Sequence, residues 1–192
     1  FESAVVKISG MTTPQLDNFD KKASFVLFYD NEESANESLL DENLLDKIKN
    51  SRAFQYETML AMLKQNAPDL LEACRDLDYD QLFDKMAAEG ALKISVIISG
   101  QGPEAFGMPE MFTPMQHINA NRKLKRLATL ISDGRYSGVT YGAAIGHMTP
   151  EAKNGGGILY LETGDVLYLE LRNRRIEFLD ENEFQKGNLV FR

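Results

Sequence analysis

ATLISDGRYSGVTYGAAIGHMTPEA, residues 128–152, is the stretch that decides how the chain reads. Its apolar run Thr129-Leu130-Ile131 stops at Asp133-Gly134, and the chain then passes Ser137-Gly138, Gly142 and Gly146 before Pro150. Glycines at this density let a backbone turn sharply and approach a ligand closely. A strand ending in such a loop sets Arg135, Ser137, Thr140 and Tyr141 at a rigid strand end. That is where open sheets with helical crossovers hold ligands.

Outward from this stretch, strand-like runs occur at residues 4–9, 24–29, 92–99, 128–132, 158–162, 166–171 and 176–179. Ile94-Ser95-Val96-Ile97-Ile98 is almost wholly apolar and suits a central strand covered on both faces. Leu167, Leu169 and Leu171 alternate with Tyr168 and Glu170, so that run has one apolar face. Glu162-Thr163-Gly164-Asp165 and Asn173-Arg174 separate the last three runs as turns, which predicts an antiparallel meander. Residues 31–90 change to a helical period. Phe54, Met59, Leu60 and Leu63 form one stripe and Leu82, Phe83, Met86 and Ala87 another, with Asp80 as a cap and Gly90 as a stop. Pro68 suits the first turn of a further helix over residues 69–76. The predicted class is α/β: a mixed sheet or barrel with flanking helices, in one domain of residues 1–192.

With 192 residues, 43% of them hydrophobic, the chain can bury one substantial core. Its net charge of −8 argues against a nucleic-acid partner, because phosphate binding needs a concentrated basic face. The one basic cluster, ANRKLKRLA at residues 120–128, reads as a solvated helix end in preference to an anion site. Neither a membrane-length apolar run nor a signal-peptide pattern is present, so the expected compartment is the cytoplasm. Cys74 is the sole cysteine; it supplies no disulfide framework and no set of thiolates for a metal or cluster. In PDLLEACRD it reads as a small buried hydrophobe. A chain opening on Phe1, directly inside a strand-like sequence, reads as part of a longer polypeptide.

Three elements, in order, carry a family resemblance. They are AVVKISG (residues 4–10), GPEAFGMPEM (102–111), and the block Asp133-Gly134-Arg135, Tyr136, Ser137-Gly138 followed by Gly146-His147-Met148-Thr149-Pro150-Glu151-Ala152. Together they resemble the C-terminal domain of the dihydroxy-acid dehydratase / 6-phosphogluconate dehydratase family, whose members eliminate water from 2,3-dihydroxy acids. Three ordered elements are far more specific than one short motif. The resemblance covers residues 2–30 and 92–184, and fails between them.

The resemblance implies a swivelling β/β/α domain in which residues 44–90, about, form a helical insertion. It implies a hydro-lyase that converts a dihydroxy or sugar acid to a 2-keto acid, with Mg2+ and an iron-sulfur cluster in the full-length enzyme. One cysteine cannot supply that cluster. The fragment is therefore expected to hold no tightly bound cofactor and to be inactive alone. Its implied partners are the N-terminal domain of the same polypeptide, a small hydroxy-acid substrate and, at full length, further copies of itself as a homo-oligomer; neither nucleic acid nor membrane is among them. The helical insertion reads as a packed cap, with a lid or a dimer contact as the alternative.

The resemblance also assigns residues. Ser137 matches the family serine proposed as the base that removes the proton beside the carboxylate, whereas its residue type alone fits a turn equally well. Glu110 matches the family's magnesium-ligating glutamate; read from local sequence it is a helix-start residue. Arg135 suits a substrate carboxylate or a loop-holding pair with Asp133. Gly138 is expected among the substrate-binding residues, its backbone N–H also contributing to the donor-rich pocket that would ionise Ser137, and Thr140 matches a family hydroxyl. Val139 departs from the family, which leaves open whether an aldonate or a branched-chain precursor is the substrate. His147 reads as a local backbone bridge and His117 as structural. GQGPEAFG lacks the lysine-serine/threonine ending of a phosphate loop. The alternative function is a non-catalytic swivelling domain serving assembly or regulation.

Overall fold

The computed structural model describes residues 2–8, 10–137 and 140–192. Among them are the strands β1 (Ser3–Lys7), β2 (Lys22–Tyr29), β3 (Ile94–Ile98), β4 (Ala128–Ser132), β5 (Ala144–Thr149), β6 (Val166–Glu170) and β7 (Arg175–Phe178). They build one mixed sheet in the order β1-β5-β4-β3-β2-β6-β7. The four central strands β5-β4-β3-β2 run parallel. The outer strands β1, β6 and β7 pair antiparallel with their neighbours. The order ends at β1 and β7, with no pairing between them among the described residues, so the expected mixed sheet is curled but not closed.

Every residue of β3 is buried. Ile94, Val96 and Ile98 face one apolar cluster, and Ile97 faces a second that contains Val26, Ile131, Leu167 and Leu169. Each such side chain contributes about 1.5–3 kcal/mol on leaving water. The first face is covered by α2 (Glu32–Leu39), α3 (Leu44–Ser51), α4 (Tyr56–Asn66), α5 (Tyr79–Glu89) and α7 (Phe112–Ala120). The second face lies under α1 (Thr13–Asp17) and the single-turn 3-10 helix Gly157–Tyr160. Two further short helices, α6 (Pro103–Phe106) and α8 (Glu181–Gln185), complete the set. No helix among the described residues is long and apolar enough to cross a membrane.

Four local expectations differ from what is found. Residues 158–162 are not a strand: Ile158 and Leu161 are buried while Leu159 and Tyr160 are exposed, the three-residue period of a 3-10 turn. The antiparallel unit is therefore β2-β6-β7. Strand β5 escaped the strand reading because Gly146 and the positive φ of His147 (54°) interrupt its alternation. The cap of α5 is Asp78, in a capping box with Gln81, while Asp80 pairs with Arg52 at 2.6 Å. Pro68 opens only the short turn Pro68–Leu70.

The segment at 44–90 lies against the sheet, with Leu63, Phe83 and Met86 buried and Leu60 partly so. Phe54 stacks on Phe25 of β2 at 4.1 Å between centroids. Asn66 stitches backbone to backbone: its Oδ1 accepts from Ala23 N–H (2.8 Å), and its Nδ2 donates to the carbonyls of Ala23 (2.8 Å) and Ala91 (3.0 Å). The amide thus stands in for a strand partner just before β3 begins.

Lys93, only 4% exposed, immediately precedes β3 and turns to the opposite face of the sheet, toward Phe19 of the second cluster. Its Nζ donates to the carbonyl of Arg126 (2.9 Å) and lies 4.4 Å from the centre of the Phe19 ring. Burial, with Lys22 and Arg126 nearby, brings its pKa down from 10.5 to about 7. Between those values the unfolded chain holds a proton that the folded chain has lost, so this group adds stability as pH rises. Lys93→Met should be more stable than the wild type at pH 7, and the gap should narrow steadily toward pH 9. Urea unfolding of both proteins across that range checks this; a constant gap would show that the charge is not what costs stability.

Candidate functional site

Parallel strands β2, β3 and β4 end on the same edge of the sheet, and the polar loops gather there. Asp133, 1% exposed, uses both carboxylate oxygens: Oδ1 accepts from Gln101 N–H (2.8 Å) and Oδ2 from Ala152 N–H (3.0 Å). It thereby joins the exits of β3, β4 and β5. Ser132 Oγ accepts from Gly134 N–H (2.9 Å), and Gly134 O accepts from His147 N–H (2.8 Å), fixing the turn between them.

Arg135 follows at the rim. Its main chain accepts from Met111 N–H (2.8 Å) and donates to Pro109 O (3.1 Å), so the segment around Glu110 runs beside it as a short parallel bridge. Its guanidinium donates to Met108 O through Nε (3.0 Å) and to Glu110 Oε1 (2.7 Å). The ion pair is exposed, with side-chain accessibilities of 49% and 39%, and such pairs contribute about 0–1 kcal/mol. Glu110 and Arg135 are thus brought together by backbone bridging. Of the partners expected for Arg135, Asp133 is not the one it takes among the described residues: the guanidinium is engaged by Glu110 and by the Met108 carbonyl.

Ser137 and Thr140 lie two and five residues beyond Arg135. Thr140 N–H donates to Ser137 O (3.3 Å). Ser137 Oγ and Thr140 Oγ1 are shielded from solvent and have no hydrogen-bond partner among the described residues. Shielded hydroxyls without partners are costly unless something completes them. Gly138, the fourth expected contact, and Val139 lie outside the described residues. Tyr141 does not join the site: 62% exposed, it lies against Gly10 beside a cavity of about 370 Å3 lined by Met11, Phe19 and Met115.

Two residues here were not singled out from sequence. Lys7 of β1 sends its ammonium to Ser137 O. The polar residue closing the apolar run AVVK was its only signal. Glu151, 5% exposed, accepts from the N–H groups of Glu104 (2.9 Å) and Ala105 (3.1 Å) at the start of α6. Tyr136 points inward: its hydroxyl donates to Leu130 O (3.0 Å), and desolvation pushes the phenol well above its usual range, so it stays a donor.

As for metals, no group of three or more His, Cys, Asp or Glu comes together among the described residues. Glu110 can give one hard oxygen ligand at an exposed rim, which fits a divalent cation completed by other donors. Cys74, buried and alone beyond α4, fits no thiolate-held cluster.

The family model for the dihydroxy-acid/6-phosphogluconate dehydratase C-terminal domain matches residues 61–188, which include Glu110, Arg135, Ser137 and Thr140. The chain belongs to this family. Similar curated proteins are dihydroxy-acid dehydratases. That of Pyrococcus furiosus is 43% identical over 93 residues, covering 47% of this chain and 17% of the relative. That of Maridesulfovibrio salexigens is 45% identical over 100 residues, covering 51% and 18%. That of Thermodesulfovibrio yellowstonii is 34% identical over 168 residues, covering 77% and 30%. The chain therefore spans less than a third of the length of these relatives.

In this dehydratase domain the loop beyond β4 depends on Gly146 lacking a side chain. A Cβ there would stand 2.6 Å from the Tyr136 ring and 3.2 Å from Gly134 O. Gly146→Ala should cost about 1–3 kcal/mol through this overpacking. Thermal unfolding should then shift down by several degrees; a midpoint within about a degree of the wild type would show the Tyr136 ring to be free to move.

Proposed function

We propose that this domain supplies the proton-abstracting and carboxylate-binding side of a hydro-lyase site acting on a 2,3-dihydroxy or sugar acid, giving a 2-keto acid and water. The observation that supports it most is the joining, on one sheet edge, of Glu110 and Arg135 with Ser137 two residues further on, in a member of a dehydratase family. Ser137 is the base in this reading. An unpartnered hydroxyl with the Lys7 ammonium on its own carbonyl sits where positive charge favours the ionised form.

Arg135 and Thr140 then orient the substrate, the first through its carboxylate and the second by hydrogen bond. Gly138 is assigned to substrate binding with them. Glu110 is one ligand of a magnesium ion, which when bound supplies the charge that makes the C2 proton removable. The cluster belongs on another part of the polypeptide, since Cys74 cannot build it. The N-terminal domain of the same chain, further copies in a homo-oligomer and a cytoplasmic setting complete the proposal.

Purified alone, this chain should turn over no 2,3-dihydroxy acid; turnover would overturn the two-domain account. In the full-length polypeptide, Ser137→Ala should lose solvent-deuterium exchange at substrate C2 by about 100-fold or more while metal content stays constant. Mass spectrometry of recovered substrate reads this directly, and near-wild-type exchange would remove Ser137 from the role.

A further inference from the structure

Glu110 stands at the end of a loop whose position is set some distance away. The N–H groups of Glu104 and Ala105, which open α6, are both taken by the Glu151 carboxylate. Gly102 lies so close beneath it that a Cβ would come within 2.1 Å of Glu151 Oε2. Gly102 O in turn accepts from Phe106 N–H (3.0 Å) and Met108 N–H (3.3 Å), folding the chain back on itself. Gly107 and Met108 make that reversal at φ of 73° and 57°. The next two carbonyls, of Met108 and Pro109, are those that Arg135 binds, and Glu110 follows. A continuous set of backbone contacts therefore runs from Glu151 to Glu110.

The geometry points to Glu151 as a positioning residue that fixes where the Glu110 carboxylate stands. The inference rests on the reading of Glu110 as a magnesium ligand. Glu151 is anchored for the purpose. Its carbonyl accepts from the N–H groups of Asn154 and Gly156 (both 3.0 Å), Lys153 Nζ reaches back to Glu104 O (3.0 Å), and Asp133 holds the next residue, Ala152. Two buried carboxylates thus gather four N–H groups from segments that a sheet edge would otherwise leave apart. A carboxylate suits this because both of its oxygens accept; a glutamine presents one acceptor and one donor to the same two N–H groups.

In Glu151→Gln the loop should spend less time in the binding arrangement, which weakens apparent affinity by the lost fraction and leaves the bound state unchanged. Magnesium binding to the full-length polypeptide, measured by calorimetry, should weaken about tenfold. Backbone hydrogen exchange should show Glu104 and Ala105 losing protection while β3 and β4 keep theirs. Gly102→Ala, which crowds the same contact from the other side, should shift magnesium binding in the same direction and serves if Glu151→Gln folds poorly.

Glu110→Gln, run alongside, reads the underlying assignment. Unchanged magnesium binding in that variant overturns the ligand reading and this inference with it. A weakened Glu110→Gln beside an unweakened Glu151→Gln, with exchange at Glu104 and Ala105 raised, overturns the inference alone and leaves Glu151 as a helix cap.

Discussion

A strand buried on both faces imposes the arrangement of everything else in this molecule. With all five residues of β3 inside, each face of the sheet needs its own apolar cover, and the helices between β2 and β3 supply one. The other comes from the shorter elements around α1 and residues 157–160. Loops leaving such a strand start deep in the structure. Their N–H groups cannot all reach water, so they need acceptors from within. Asp133 and Glu151 are those acceptors, at 1% and 5% exposure.

The strengths of the contacts at the sheet edge differ in kind. The Glu110–Arg135 pair is exposed and adds little to stability, whereas each charge-assisted bond to a buried carboxylate is worth about 1.5–3 kcal/mol. Rigidity at the rim therefore comes from behind it. Glu110 and Arg135 stand on a frame that does not depend on their own pairing.

Much of this was legible in the sequence, and what was not has physical reasons. Two-sided burial could be read from Ile94-Ser95-Val96-Ile97-Ile98, and the helical stripes of 54–87 from their spacing. The Glu110 and Arg135 elements were recognisable as motifs, but their contact was not, since 25 residues separate them and the backbone bridge leaves no local signal. The partners of Asp133, and Glu151 altogether, were hidden because a carboxylate that binds backbone N–H groups looks, in sequence, like any turn or surface acid. Strand β5 was hidden by a glycine required for close approach to Tyr136. Asp80 was read as a cap because the residue that caps, Asp78, lies two places earlier with the same side chain.

The two margins of the sheet differ from its interior in a way that bears on how the chain behaves when concentrated. An unpaired strand edge is a template for another chain, and flat apolar edges join most readily. Here β1 is bent by a register shift between Ser3 and Val5 and ends in Lys7, while β7 carries the Arg175–Glu177 ion pair and is capped by the Leu179–Phe191 bridge. Neither margin offers a long flat ladder. A sheet apolar enough at its centre to seed fibrils is thus fenced on both sides by curvature and charge.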